Sequence, residues 1–140
     1  MQIISQETIT QITQTLAQDH RIKMAFLFGS YAKNTARPGS DLDIAIYLNE
    51  PYQPIWVQEI WGQIESLARK EVDLIVLNRA PATICWAAIR GKALIIKDEK
   101  FYTQYMLDCS REAEDFQEYI FDLWRLRQQY KEERHVTPES

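Results

Sequence analysis

The sequence predicts an α/β fold, a small sheet flanked by helices, and three observations carry that prediction. Four short apolar-rich runs, at residues 24–28, 44–48, 71–77 and 93–96, have the length and flanking breakers of strands. The stretches between them space their apolar residues for one helical face, as with Ile9, Ile12 and Leu16 or Ile60, Ile64 and Leu67. Finally, 140 residues with 46% hydrophobic and 26% charged content suffice for one globular domain with a buried core. The expected organisation is a single domain over residues 1–140, with a core over about 20–97 and a helical tail over about 99–133.

The elements follow in order. Residues 6–18 predict a first helix N-capped by Ser5, and Arg21-Ile22-Lys23 leads into the first strand. Gly29-Ser30 starts a short helix through Asn34, and Pro38-Gly39 makes a turn. Asn49-Glu50-Pro51 closes the second strand. Residues 55–69 predict a helix whose Trp56 and Trp61 serve as core or rim residues, since aromatics at helical spacing more often pack than stack on bases. After the third strand, residues 83–90 predict a short helix with Gly91 at its C-cap, and residues 93–96 an edge strand.

Residues 99–133 predict one long helix. Tyr102, Met106, Cys109, Ala113, Phe116, Ile120 and Leu123 form one stripe, while Tyr119, Phe121 and Trp124 lie off it. A helix apolar on more than one face needs a second burial partner, so those three rings are the candidates for a partner interface. Packing of the rings against the first helix is the alternative.

Charge and cysteine usage exclude several classes. The net charge of -4 argues against direct nucleic-acid binding. Residues 1–97 carry 10 Lys/Arg and 9 Asp/Glu, whereas residues 98–140 carry 6 and 11, so the tail is the acidic part and suits a basic protein partner or simply a solvated face. Cys85 and Cys109 are too few for a disulfide framework or a zinc site and read as buried free thiols. His20 and His135 have no partner at ligand spacing. No run is long enough to span a membrane and no signal peptide opens the chain, so a cytoplasmic address is expected.

The chemistry concentrates between the first two strands. Gly29-Ser30 ends the first, and Asp41-Leu42-Asp43 opens the second. Asp41 and Asp43 are two apart, so on a strand both side chains leave by one face, where their repulsion calls for a cation. A glycine admits backbone close to a phosphate, a helix start offers N–H groups to it, and Ser30 can add its hydroxyl or act as N-cap. Lys33 and Arg37, in the spacer, can neutralise a triphosphate or merely solubilise the loop. Paired acids beside such a turn suggest a magnesium–nucleotide site.

Gly-Ser, ten residues, Asp-x-Asp, with a strand on each side, resembles the DNA polymerase β-like nucleotidyltransferase superfamily. Within it, the chain looks most like the minimal nucleotidyltransferase (MNT) antitoxins that accompany HEPN-domain toxins. The resemblance runs from about residue 22 to about 96 and departs at Asn34, where the family carries a glycine nearby; Asn tolerates a left-handed backbone. It implies a small mixed sheet flanked by helices with a long C-terminal helix. It also implies a third carboxylate at Asp73, with Glu71 two residues earlier as the competing candidate. The expected activity is magnesium-dependent transfer of AMP from ATP to a tyrosine hydroxyl of a HEPN ribonuclease toxin, in a hetero-oligomer with that toxin. Asp41 and Asp43 would bridge two Mg2+ ions, and Asp73 would complete one of them or take the hydroxyl proton. No covalent nucleophile sits beside a base, so direct in-line transfer is the simplest mechanism. The alternatives are an antitoxin that masks its toxin without catalysis, and a transferase acting on a small molecule or RNA. Neither room for an acceptor-binding domain nor a basic groove supports the last two.

Overall fold

The fold was analysed as a computed structural model, which describes residues 3–114 and 125–129. Helix α1 (Gln6–Ala17) precedes strand β1 (Ile22–Phe28), and Ser5 caps it by accepting a 3.2 Å hydrogen bond from the Thr8 N–H. Strand β2 (Leu42–Leu48) follows a spacer, then helix α2 (Pro54–Ala68) and strand β3 (Val72–Val76). Helix α3 (Ala82–Ile89), strand β4 (Lys92–Ile96) and helix α4 (Glu99–Glu114) complete the described core. Of the long helix expected over residues 99–133, the described parts are α4 and the helical residues 125–129. Tyr119, Phe121 and Trp124 lie outside the described residues.

The sheet order is β3-β2-β1-β4, mixed as expected: β1 runs antiparallel to both β2 and β4, and β2 runs parallel to β3. A parallel pair cannot be joined by a tight turn, and α2 supplies the crossover. β4 lies at an edge of the sheet, where sequence analysis put it.

Helices cover both faces, which is why β1 and β2 read as unbroken apolar runs. On one face, Ala25, Leu27, Ile44 and Ile46 pack against Ile12 and Leu16 of α1 and Ile60 and Ile64 of α2. On the other, Met24, Phe26, Phe28 and Ala45 pack against Cys85 and Ala88 of α3 and Cys109 of α4. Both cysteines are free and buried. Trp61 is half-buried and donates its indole N–H to the Val72 carbonyl at 2.8 Å, the packing role expected of it.

Three local differences bear on the site. β2 begins at Leu42, two residues ahead of the apolar run, because the Phe28–Asp43 pairing continues the ladder past the hydrophobic stretch. The helix expected over residues 29–34 is a single 3-10 turn, Gly29–Tyr31, and Asn34 then takes a left-handed φ of 57°. Gly91 follows the α3 C-cap, Arg90, and its requirement is close approach: a Cβ there would lie 2.3 Å from the Leu27 carbonyl oxygen.

Candidate active site

The site forms where β1 ends and its neighbours in the sheet begin. The antiparallel register pairs Phe28 with Asp43, and the parallel register pairs Asp43 with Asp73. Two carboxylates distant in sequence thus become lateral neighbours on one face. Asp43 is 3% exposed, a degree of burial a lone carboxylate rarely tolerates. Asp41 lies just before β2 and is half-buried. Glu71 lies before β3 and is exposed, so the strand register favours Asp73 as the acid beside Asp43.

Gly29 stands directly against this pair. Its φ is +75°, and a Cβ there would come within 2.3 Å of Asp43 Oδ2. Both facts demand glycine, one through backbone strain and the other through space. The N-cap of the following turn is the extended residue Phe28, with no side-chain cap, so Ser30 does not take the N-capping role open to it. The Ala32 and Lys33 N–H groups turn back to the Gly29 carbonyl at 3.2 and 3.3 Å. With one 3-10 turn, the helix dipole expected to favour a phosphate is short, leaving Ser30 and the turn's own backbone as the local donors. Lys33 and Arg37 are exposed on the spacer.

Two further residues join the site that the sequence did not single out. Lys70, between α2 and β3, donates its ammonium to the Ser40 carbonyl and stands 5.8 Å from the Tyr31 ring centroid. It ties together the two ends of the spacer, beside Ser30 and beside Asp41. A lone lysine at a strand start carries no sequence signal for such a role. Arg127 lies in the tail just beyond Trp124, the last of the three rings offered as a partner interface, yet it turns inward. Its Nη2 donates to Asp73 Oδ2 at 2.8 Å and stands 3.6 Å from Asp43 Oδ1.

The acids fit a hard divalent cation in charge and ligand type, since magnesium takes carboxylate oxygens. The space between Asp43 and Asp73 already accommodates a cation, the Arg127 guanidinium. Among the described residues, no group of three or more His, Cys, Asp or Glu side chains is placed to hold a metal ion, so Asp41, Asp43 and Asp73 are not gathered as one ligand set. Only Asp43 and Asp73 are set side by side by the strand register, and magnesium is commonly bound through one or two carboxylates plus substrate phosphates.

Similarity to known proteins points the same way. Over 75 residues the chain is 31% identical to the protein adenylyltransferase MntA of Shewanella oneidensis, a match covering 53% of this chain and 54% of that protein. The chain therefore spans about half the length of that curated relative. Its fold is similar to a chain of a toxin–antitoxin crystal structure with AMP-PNP, at a TM-score of 0.64 and 22% identity, covering 82% of this chain and 98% of that one. It is also similar to a chain of a tri-AMPylated Shewanella oneidensis HEPN toxin in complex with MNT antitoxin, at a TM-score of 0.55 and 20% identity, covering 84% and 94%. At these identities the structural likeness establishes fold alone. The family model described as polymerase beta, nucleotidyltransferase matches residues 10–100, well over half of the sequence, and the chain belongs to that family.

Proposed function

We propose that this protein is an antitoxin adenylyltransferase, which moves AMP from ATP to a tyrosine hydroxyl of a HEPN-type toxin and so silences it. The observation that carries the reading is the sheet register that sets Asp43 beside Asp73, with Gly29 against Asp43. The relative named protein adenylyltransferase and the toxin–antitoxin folds support the same assignment.

In the proposed reaction the tyrosine oxygen attacks the α-phosphorus of ATP in line. The bond to the bridging oxygen breaks, pyrophosphate leaves, and the hydroxyl proton passes to a carboxylate, which we assign to Asp73. Asp41, Asp43 and Asp73 would hold two magnesium ions, which supply Lewis-acid charge to the α-phosphate and the leaving group. Gly29 lets the backbone approach the triphosphate, and the Ser30 hydroxyl donates to a phosphate oxygen. Lys33 and Arg37, on the exposed spacer, neutralise the remaining charge. We further propose that residues 1–140 act as one unit with the toxin in a hetero-oligomer, with Tyr119, Phe121 and Trp124 at the interface. A cytoplasmic setting suits ATP use and the two free thiols.

The test uses ATP labelled at the α- or γ-phosphate, magnesium, and the cognate toxin. Label from the α-position should remain on the toxin, and chelator or the Asp41→Asn/Asp43→Asn pair should abolish it. Asp73→Asn should be severely impaired and Glu71→Gln mildly. Transfer of the γ-label alone would identify a kinase. Inhibition that tracks one-to-one occupancy and ignores ATP would identify a masking antitoxin. Either result defeats the proposal.

A further inference from the structure

Arg127 fits none of the roles above. Its Nη2 lies 2.8 Å from Asp73 Oδ2 and 3.6 Å from Asp43 Oδ1, between the two acids assigned to metal binding. Its Cζ stands 4.8 Å from the centroid of Phe28, the residue that pairs with Asp43 and immediately precedes Gly29. The side chain is 13% exposed, so the guanidinium is largely withdrawn from water at a point where its charge matters most. Neighbouring carboxylates that repel one another are stabilised by a cation placed between them. Here the chain supplies that cation itself, from a segment more than fifty residues along from Asp73.

We infer that Arg127 is a resident counter-cation of the acid pair and competes with the divalent ion for it. The inference rests on the reading of Asp43 and Asp73 as metal ligands. An ion at magnesium–carboxylate distance, about 2.1 Å, would have to share Asp73 with a guanidinium already at hydrogen-bonding distance. Two cations so close repel each other, most strongly where water is excluded. Metal entry therefore requires the Arg127 contacts to open, and the placement of residues 125–129 is coupled to occupancy of the site. Reciprocity then holds: whatever holds Arg127 in place weakens metal binding, and metal weakens the hold on the tail by the same factor. The device offsets part of the acid pair's charge in the absence of metal.

The experiment measures Mn2+ affinity of the full chain without nucleotide, by electron paramagnetic resonance, for the natural protein, Arg127→Ala, Arg127→Lys and Asp43→Asn. If Arg127 is seated in nine molecules of ten, Arg127→Ala should bind Mn2+ about tenfold more tightly, with Arg127→Lys in between. Saturating Mn2+ should also speed hydrogen exchange at residues 125–129 in the natural protein. Equal or weaker binding by Arg127→Ala, with binding still lost in Asp43→Asn, overturns the competition but leaves the acids as ligands. This is the result expected if Arg127 instead grips phosphate or serves only packing. No Mn2+ binding by any variant overturns both readings. If Arg127→Ala fails to fold, the charge-conserving Arg127→Lys decides alone. Its compact ammonium replaces a flat guanidinium seated against the Phe28 ring, so equal Mn2+ affinity to the natural protein, with unchanged exchange at 125–129, overturns the proposal.

Discussion

Gly29→Ala separates a glycine needed for its backbone from one needed for its space. The φ of +75° costs an alanine about 1 kcal/mol or a little more. The new methyl would also lie 2.3 Å from Asp43 Oδ2 and 3.2 Å from Asp43 Cγ, where ordinary contact begins near 3.4 Å. The carboxylate must therefore retreat by about 1 Å in a closely packed setting, where neighbours yield little. Off-rotamer strain adds roughly 1 kcal/mol, for a total of about 2–3 kcal/mol. In the proposed reaction, a displacement of about 1 Å in the carboxylate assigned to metal holding should lower turnover about 100-fold. Gly39→Ala is the control: its φ is +95° with nothing within 4 Å of the Cβ, so it bears only the backbone term of about 1 kcal/mol. A second control follows from the 3.5 Å separation to Asp43 Cβ, an ordinary contact. In an Asp43→Ala background the cost of Gly29→Ala should shrink to that same backbone term. Urea unfolding gives the stabilities, and α-labelled ATP gives the transfer rate. Equal destabilisation by Gly29→Ala and Gly39→Ala, with Gly29→Ala turning over within about threefold of the natural protein, would refute the claim that Gly29 positions Asp43.

Three other perturbations test the frame that carries the site. Trp61→Phe leaves the Val72 carbonyl without its 2.8 Å indole donor and should cost about 1–2 kcal/mol in urea unfolding. Gly62, inside α2, has nothing within 4 Å of an added Cβ, so Gly62→Ala should stabilise by about 0.5–1 kcal/mol and raise the melting temperature. Asp19 accepts from the Arg21 backbone N–H, Nε and Nη2 at 3.0, 2.9 and 2.8 Å, and the Arg21 hydrogen bond holds its carboxyl below the usual range. A depressed folded-state pKa gives stability that is present above the unfolded value of about 3.9 and lost as pH falls through the folded value. The natural protein should therefore exceed Asp19→Asn by about 1 kcal/mol at pH 7, and the gap should close below about pH 4 in acid-unfolding titrations. A gap that persists at pH 2 would mean that the ion pair is not its source.

How much the sequence could say depended on how local the cause was. Ser5 capping α1, the strand identity of residues 24–28, and the left-handed Asn34 each follow from the chemistry of a few adjacent residues. The Gly29-Ser30 and Asp41-x-Asp43 spacing was legible for the same reason: one turn and one strand start lie within a single hairpin-like excursion. The preference for Asp73 over Glu71 came in only through resemblance. Seeing that Asp73, and not Glu71, lies beside Asp43 needed the β2–β3 register, because a strand's neighbour is set by the whole sheet. Lys70 bracing Ser40 and Arg127 reaching Asp73 had no sequence signal at all. Both are long flexible cations whose partners lie about 30 and more than 50 residues away. Neither periodicity nor composition marks which solvent-compatible charge will be drawn inward; that is fixed only when the sheet sets the buried Asp43 beside the half-buried Asp73 in one negative patch that a cation occupies.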